Sequence, residues 1–271
     1  MISKHREIFK TDKPVIGCLH MKALPGTPLW NPDFTIEDNI EAVKHDAEIL
    51  QELGFDAVIF ANEQDIPYIE HVGPEIVAAY TRIVTEVSKI LTIPFGVGVQ
   101  IDPYATMAIA KATGAKFVRD FFTNSFASDF GMMNRVAGDI FRYAKKIGGE
   151  NISVYTLIEG HYGDCLDRRP IEEKYLSVKD ALPITGYIIG GPRTGVAPEA
   201  SILARLKEIS QDIPVILNSG ASKENIASLF PYCDGVIVGT KLKKDYKLFN
   251  PVDYDNAKAF IDAANACRNK D

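Results

Sequence analysis

Residues 213–240 read IPVILNSGASKENIASLFPYCDGVIVGT. This stretch contains two apolar, β-branched runs, at 213–217 and 235–238, and Ser222 between them is placed to cap a helix. Each run is apolar throughout rather than alternately polar, which is typical of a parallel strand that is buried on both faces. The stretch therefore predicts one strand–helix–strand unit of a parallel α/β fold.

The same unit recurs along the chain. Further apolar runs lie at 14–19, 56–60, 94–100, 116–120, 151–158 and 186–189. Helical patterns lie at 35–53, 104–112, 134–147, 171–181 and 254–267, and others begin at Pro74 and Pro198. Thr35 and Asp38 form a capping box at the first of them. Eight strands and eight helices, repeated about every 30 residues, predict a closed TIM (β/α)8 barrel that occupies residues 1–271 as one domain.

Composition and charge argue against several classes of protein, such as nucleic-acid-binding and membrane-spanning proteins. The chain has 271 residues, 46% of them hydrophobic, and a net charge of −6, which argues against a nucleic-acid partner. No apolar run reaches the ~18 residues of a membrane span, and residues 1–10 lack the apolar segment of a secretory signal. The four cysteines form no C-x-x-C pair, so we expect free thiols and a cytoplasmic protein. The sequence leaves a homo-oligomer open.

Small residues at three strand ends predict a phosphate site. In a barrel of this kind the loops after the last two strands commonly hold a phosphate, whose oxygens accept from backbone N–H groups. The predicted phosphate-binding residues are Ser219, Gly220 and Ala221 after the seventh strand, Gly239 and Thr240 after the eighth, and Gly190 and Gly191 after the sixth. The alternative is that these residues only form tight turns between strands and helices.

Polar side chains at other strand ends are candidate catalytic groups, because the carboxyl ends of barrel strands surround the active site. These candidates are His20, Asn62, Arg119, Glu159 and His161. His20 with Glu159 or His161 would transfer protons near neutral pH. A histidine bonded to a loop carbonyl, and a buried ion pair for Arg119, are the structural alternatives.

Other residues bear on a metal site, an anion clamp and a lid. Two histidines and a carboxylate can bind a metal, but no spacing fixes such a geometry. We therefore predict no metal and no cofactor, with a divalent metal as the alternative. Arg193 is a candidate anion clamp, and the long loop at 121–131 is either a lid or an oligomer contact.

Several motifs resemble those of the BtpA/SgcQ family. The matching segments are IGCLHMKALPGTP at 16–28, Asn62 with Asp65 and Pro67, GAKFVR at 114–119, Asp129 with Gly131, Thr194 with Gly195, SGA at 219–221 with Asn225 and Ile226, DGVIV at 234–238 and NPVD at 250–253. Their order and spacing cover nearly the whole chain. The resemblance implies a barrel of the ribulose-phosphate-binding type without implying a defined reaction. One branch of the family is linked to photosystem I assembly, and the SgcQ-like branch occurs beside sugar-uptake genes.

The chain departs from the family pattern at three positions. Ala61 and Thr156 stand where the family often has carboxylates, and Gly160 where it often has lysine. Glu63 and Glu159 are the nearby carboxylates that could replace those lost. Two functions therefore stay open: an enzyme of the isomerase, epimerase or lyase type acting on a small phosphorylated sugar or nucleotide-like ligand, and a non-catalytic binding or assembly factor.

Overall fold

The computed structural model describes residues 3–159, 162–191, 195–210 and 212–268. The strands are β1 Val15–His20, β2 Ala57–Ala61, β3 Phe95–Gly98, β4 Phe117–Asp120, β5 Ser125–Ser128, β6 Gly131–Asn134, β7 Ser153–Leu157, β8 Gly163–Cys165, β9 Gly186–Ile189, β10 Val215–Asn218 and β11 Val236–Val238. The α-helices are α1 Lys4–Phe9, α2 Ile36–Glu52, α3 Pro74–Ser88, α4 Pro103–Thr113, α5 Ala137–Lys146, α6 Ile171–Ala181, α7 Ala200–Ser210, α8 Ile226–Leu229 and α9 Tyr254–Arg268. Short 3₁₀ turns lie at Phe230–Tyr232, Thr240–Leu242 and Lys244–Tyr246.

Eight parallel strands close into a barrel in the order β1-β11-β10-β9-β7-β4-β3-β2, so the predicted TIM barrel is confirmed. Alternate residues of each strand face opposite sides of the wall. Ile16 and Cys18 of β1 belong to the apolar cluster inside the barrel, whereas Val15 and Leu19 pack in the cluster under the helices. Because both faces are buried, the strands are mostly apolar, as the sequence pattern required, and polar residues such as Asn218 stand mainly at their ends.

Local capping residues act as the sequence predicts at the first long helix. The Thr35 side chain accepts a hydrogen bond from the Asp38 N–H, and the Asp38 side chain accepts from the Thr35 N–H, so α2 begins in a capping box. Two later boundaries were wrong. Helix α7 begins at Ala200 rather than Pro198, and α8 has four residues with Asn225, not Ser222, at its N-cap.

The loop after β4 has a structure of its own. Strands β5 and β6 pair antiparallel, and β8 pairs with the other edge of β5, as in the contact of Phe126 with Cys165. Because β6 uses residues up to Asn134, helix α5 starts at Ala137, three residues later than predicted. This three-stranded sheet brings Tyr162, next to β8, toward the carboxyl ends of the barrel strands.

Helix α1 packs against residues inside the barrel. His5 Nδ1 lies 2.8 Å from the Tyr155 hydroxyl, and the Phe9 ring meets the Phe117 ring edge-on at 5.1 Å. Phe117 is the first residue of β4, so α1 packs at the amino ends of the strands. Among the residues described, no helix is long and apolar enough to cross a membrane.

Candidate functional site

A cleft opens at the carboxyl ends of the strands. Seven of the predicted site residues line it: His20, Arg119, Ser219, Gly220, Ala221, Gly239 and Thr240. Five further lining residues carry side-chain chemistry or contact the first set: Cys18, Glu63, Tyr162, Asn218 and Lys241. The strand order explains why these residues lie together. Strands β1, β11 and β10 are neighbours in the barrel, and Arg119 extends across the barrel from β4.

The loop after β10 lines the cleft in a left-handed backbone conformation. Ser219 and Gly220 both have positive φ, +78° and +73°, and successive residues of this kind can form an anion-binding concavity. A Cβ at Gly220 would lie 2.0 Å from the Ala197 nitrogen, so only glycine fits against the neighbouring loop. The Ser219 hydroxyl accepts a hydrogen bond of 2.7 Å from the Gly195 N–H, which fixes the turn.

Two loops line the cleft with backbone N–H groups that have no partner among the described residues. Within the described part of the chain, the N–H groups of Gly220, Ala221, Gly239 and Thr240 donate to no backbone or side-chain acceptor. A backbone N–H group that finds no partner in the protein is a ready donor to water or to an anion. Lys241 adds an ammonium group at the same edge, where its Nζ lies 4.9 Å from the centre of the Tyr246 ring.

His20 lies beside this group of donors. An added Cβ at Gly239 would be 3.0 Å from the His20 ring, so the glycine lets the imidazole lie against the end of β11. His20 Nδ1 is 3.5 Å from the Leu248 carbonyl oxygen, which leaves Nε2 on the Gly239 side. Burial, and secondarily the charge of Lys243, holds the pKa of His20 well below its usual value. The imidazole is therefore uncharged at pH 7, and its Nε2 is the nitrogen on the Gly239 side of the cleft.

Arg119 lies across the inner end of the cleft. Its Nη1 donates to Asn218 Oδ1 at 3.1 Å, and its Nη2 lies 4.0 Å from Glu63 Oε1, beyond hydrogen-bond distance. The neighbouring Asp120 points the other way, where it accepts a 3.0 Å hydrogen bond from Thr106 of α4. One residue of the Arg119–Asp120 pair thus faces the barrel and the other faces the helices, as their adjacency predicts.

Glu63 follows β2 and is buried beside Arg119. Its Oε1 accepts from Gln100 Nε2 at 2.5 Å and its Oε2 from the Tyr68 hydroxyl at 3.2 Å. Burial raises the pKa of Glu63, while the Arg119 guanidinium and these hydrogen bonds act in the opposite direction. A buried carboxyl with a raised pKa in a cleft is typical of acid–base sites.

Asn62 lies in an adjoining cavity with Asp65. Its Nδ2 donates to Asp65 Oδ2 at 2.8 Å and its Oδ1 accepts from the Gln100 N–H at 2.8 Å. Burial raises the pKa of Asp65 to about 6. Asn62 does not line the main cleft. It contacts Gln100, and Gln100 in turn contacts Glu63, which does line the cleft.

Glu159, Gly190 and Gly191 line a separate cavity under α6 and α7. Glu159 forms an ion pair of 2.7 Å with the buried Lys174, so its carboxylate is engaged there and not beside His20. An added Cβ at Gly191 would be 1.9 Å from the Val196 carbonyl oxygen, which indicates close backbone packing at this glycine. His161, Gly160 and Arg193 lie outside the described residues. Among the residues described, no group of three or more His, Cys, Asp or Glu side chains could hold a metal ion.

The sequence signals for the additional residues differ. Glu63 and Asn218 stand at strand ends, so the strand-end rule that selected His20 also applies to them. Tyr162 carries no such signal, because its position depends on the pairing of β8 with β5.

Comparison with known proteins places the chain among relatives along nearly its whole length. A profile of the BtpA family matches residues 11–266. The putative sgc region protein SgcQ of Escherichia coli is 34% identical over 97% of this chain and 98% of its own. The photosystem I biogenesis protein BtpA of Synechocystis is 30% identical over 95% of this chain and 90% of its own.

Solved structures share the barrel at low identity. Phosphoribosyl anthranilate isomerase from Thermus thermophilus superposes with a TM-score of 0.59 at 11% identity, over 93% of this chain and 98% of that one. Tryptophan synthase from M. tuberculosis superposes with a TM-score of 0.58 at 17% identity, over 98% and 99%. At these identities the likeness shows the fold alone.

Proposed function

This chain belongs to the BtpA family, and on that premise we propose that it binds a small phosphorylated sugar or nucleotide-like ligand in the cleft at the carboxyl ends of its strands. The observation that carries the proposal is that four residues lining that cleft, Gly220, Ala221, Gly239 and Thr240, have backbone N–H groups without a partner among the described residues. Such a cradle holds a phosphate without requiring a net positive charge, which fits the net charge of −6.

The reaction we propose is proton transfer of the isomerase, epimerase or lyase type. The phosphate would anchor a non-reacting end of the ligand, and the binding energy would position the reacting carbon. The neutral His20 imidazole lies next to the proposed phosphate and can exchange a proton with a ligand oxygen. Arg119 lies deeper in the cleft and can donate to a second oxygen.

A non-catalytic assembly factor is the second candidate. The name of the Synechocystis relative supports it, as do Ala61 and Thr156 where the family often has carboxylates. Thr156 is buried and accepts from the Phe122 N–H at 3.2 Å, a structural role. Against this candidate, Glu63 supplies a carboxyl group two residues after Ala61. Proton exchange into a bound sugar phosphate would separate the two candidates. A cytoplasmic location and a homo-oligomer remain predictions from the sequence.

Thermal unfolding with added ligand tests the phosphate site. Inorganic phosphate, ribulose 5-phosphate and fructose 6-phosphate should raise the unfolding midpoint of the wild type, whereas unphosphorylated ribulose and fructose should not. Thr240→Glu places a carboxylate beside the proposed phosphate and should weaken its binding roughly tenfold or more, because like charges a few Å apart repel by over 1 kcal/mol.

The matched control is Thr81→Glu on α3, which makes the same charge change away from the cleft. This variant should respond to phosphate as the wild type does. A wild type that gains no stability from any phosphorylated compound, or a Thr240→Glu protein with undiminished phosphate response, would refute the site.

A further inference from the structure

Arg119 has more hydrogen-bond donors than the described residues satisfy. A guanidinium group carries five N–H donors, yet among the described residues Arg119 makes one hydrogen bond, from Nη1 to Asn218. Within the described part of the chain its Nε is buried without a partner, and only 11% of the side chain is exposed. Unpaired donors on a buried cation are costly, so the geometry favours an oxygen-bearing ligand against this group.

Glu63 faces Arg119 across a gap. The 4.0 Å between Glu63 Oε1 and Arg119 Nη2 is longer than a charge-assisted hydrogen bond of about 2.7–2.9 Å. Gln100 and Tyr68 hold the carboxyl from the protein side, and the Tyr162 hydroxyl in turn donates to Gln100 Oε1 at 3.2 Å. The carboxyl is thus fixed in orientation, and both Glu63 and Arg119 line the cleft.

Resting on the proposed phosphate site, we propose that the ligand is a sugar phosphate whose α-hydroxycarbonyl unit lies between these two side chains, with Glu63 as the catalytic base. The carbonyl oxygen would accept from Arg119, and the adjoining hydroxyl or C–H group would face Glu63. A ligand carboxylate fits less well at this position, because it would place a second anion beside Glu63.

The proposed reaction needs no reactant other than the ligand and these side chains. Glu63 removes the proton from the carbon next to the carbonyl, and the electron pair of that C–H bond forms a carbon–carbon double bond. The carbonyl π electrons move to oxygen, which gives an enediolate whose negative charge Arg119 stabilises. The protonated Glu63 then returns the proton to one of the two carbons, while His20 Nε2 can carry the proton between the two oxygens.

Hydrogen–deuterium exchange followed by proton NMR tests this inference. Ribulose 5-phosphate, xylulose 5-phosphate, fructose 6-phosphate and tagatose 6-phosphate are each incubated with the protein in D₂O. The wild type should replace the C–H proton next to the carbonyl in at least one of them. Glu63→Gln, which keeps the size of the side chain but cannot take up the proton, should slow that exchange by ~100-fold or more.

Controls separate this inference from the phosphate site itself. Glu41→Gln removes an exposed carboxylate of α2 and should exchange at the wild-type rate. Glu63→Gln should keep its thermal response to inorganic phosphate, which also shows that it is folded. If Glu63→Gln does not fold, Glu63→Asp takes its place. The aspartate side chain is one methylene shorter, so its carboxylate lies further from the ligand, and this variant should exchange more slowly than the wild type while still responding to phosphate.

Each outcome has one meaning. Phosphate stabilisation without exchange in any of the four ketose phosphates, or equal exchange by the wild type and Glu63→Gln, overturns the assignment of Glu63 and leaves the phosphate site standing. Equal binding of ribulose 5-phosphate and ribitol 5-phosphate, which lacks the carbonyl, overturns the α-hydroxycarbonyl unit. Absence of any phosphate response overturns the proposed function and this inference with it.

Discussion

A buried ion pair beneath the site offers a measurable test of how this wall of the cleft is held. Lys243 Nζ lies 2.7 Å from Asp46 Oδ2, and their side chains are 1% and 6% exposed. Asp46 Oδ1 also accepts from the Val252 N–H at 2.8 Å. Lys243 and Val252 form a β-bridge, so Asp46 fixes both ends of the segment 243–252 that carries Leu248 to His20.

Asp46→Asn should lower the free energy of unfolding by about 3 kcal/mol. The asparagine oxygen still accepts from Val252, but the buried Lys243 ammonium loses its counterion, and breaking one side of a buried pair typically costs about 3–5 kcal/mol. The double variant Asp46→Asn with Lys243→Met removes both charges, and methionine keeps a long side chain at position 243. It should recover to within about 1 kcal/mol of the wild type, since neutral replacements of buried pairs are often tolerated.

Equilibrium unfolding in urea, followed by circular dichroism at pH 7, measures both variants. The comparison pair is Glu37 with Arg82, 2.9 Å apart and more than half exposed, where Glu37→Gln should cost less than about 1 kcal/mol. An Asp46→Asn cost as small as that of Glu37→Gln would refute the reasoning, because it would mean that water reaches Lys243. A double variant less stable than Asp46→Asn would refute it equally.

Two further predictions concern a glycine and a buried carboxyl. Gly220→Ala should unfold at a lower temperature than Gly114→Ala in calorimetry, since both have positive φ but only Gly220 would place a Cβ 2.0 Å from Ala197; equal losses would contradict the close approach. Burial raises the pKa of Asp120 to about 7, so between about pH 4 and 7 the folded state keeps a proton that the unfolded state has lost, and wild-type stability falls as pH rises. Asp120→Asn removes this dependence. Its free energy of unfolding, measured in urea, should rise relative to that of the wild type by up to about 1.4 kcal/mol per pH unit over that window. A difference between the two proteins that does not change with pH would contradict the raised pKa of Asp120.

Part of the candidate site was predictable because it depends on strand ends alone. All parallel strands of a closed barrel point the same way, so residues that follow them meet at one rim whatever the details of the loops. His20, Arg119, Ser219 and Gly239 meet there for this reason. The same rule selected Glu159 and Gly191, which lie in the separate cavity under α6 and α7. Strand position does not decide whether a side chain beyond the strand turns into the barrel or toward the helices.

The sequence does not predict which of two carboxylates lies in the cleft. Glu63 and Glu159 each follow a barrel strand, and nothing in their neighbours separates them. Glu63 is drawn inward by Gln100 and Tyr68, whereas Glu159 is paired with Lys174 of α6. Each position depends on a partner distant in the sequence, whose approach no local pattern encodes. The loop after β4 is similar, because its sheet requires β8, over 30 residues later.

The amino-acid sequence by itself determined the barrel, because the hydrophobic effect requires apolar runs wherever a strand is buried on both faces, and that requirement is written locally in every run, such as 213–217 and 235–238. Only the tertiary structure decided which polar groups share the cleft. Arg119 from β4, Glu63 after β2 and Asn218 of β10 come together through the closure of the barrel. Their meeting depends on distances across the barrel, and those follow from the packing of all eight strands at once.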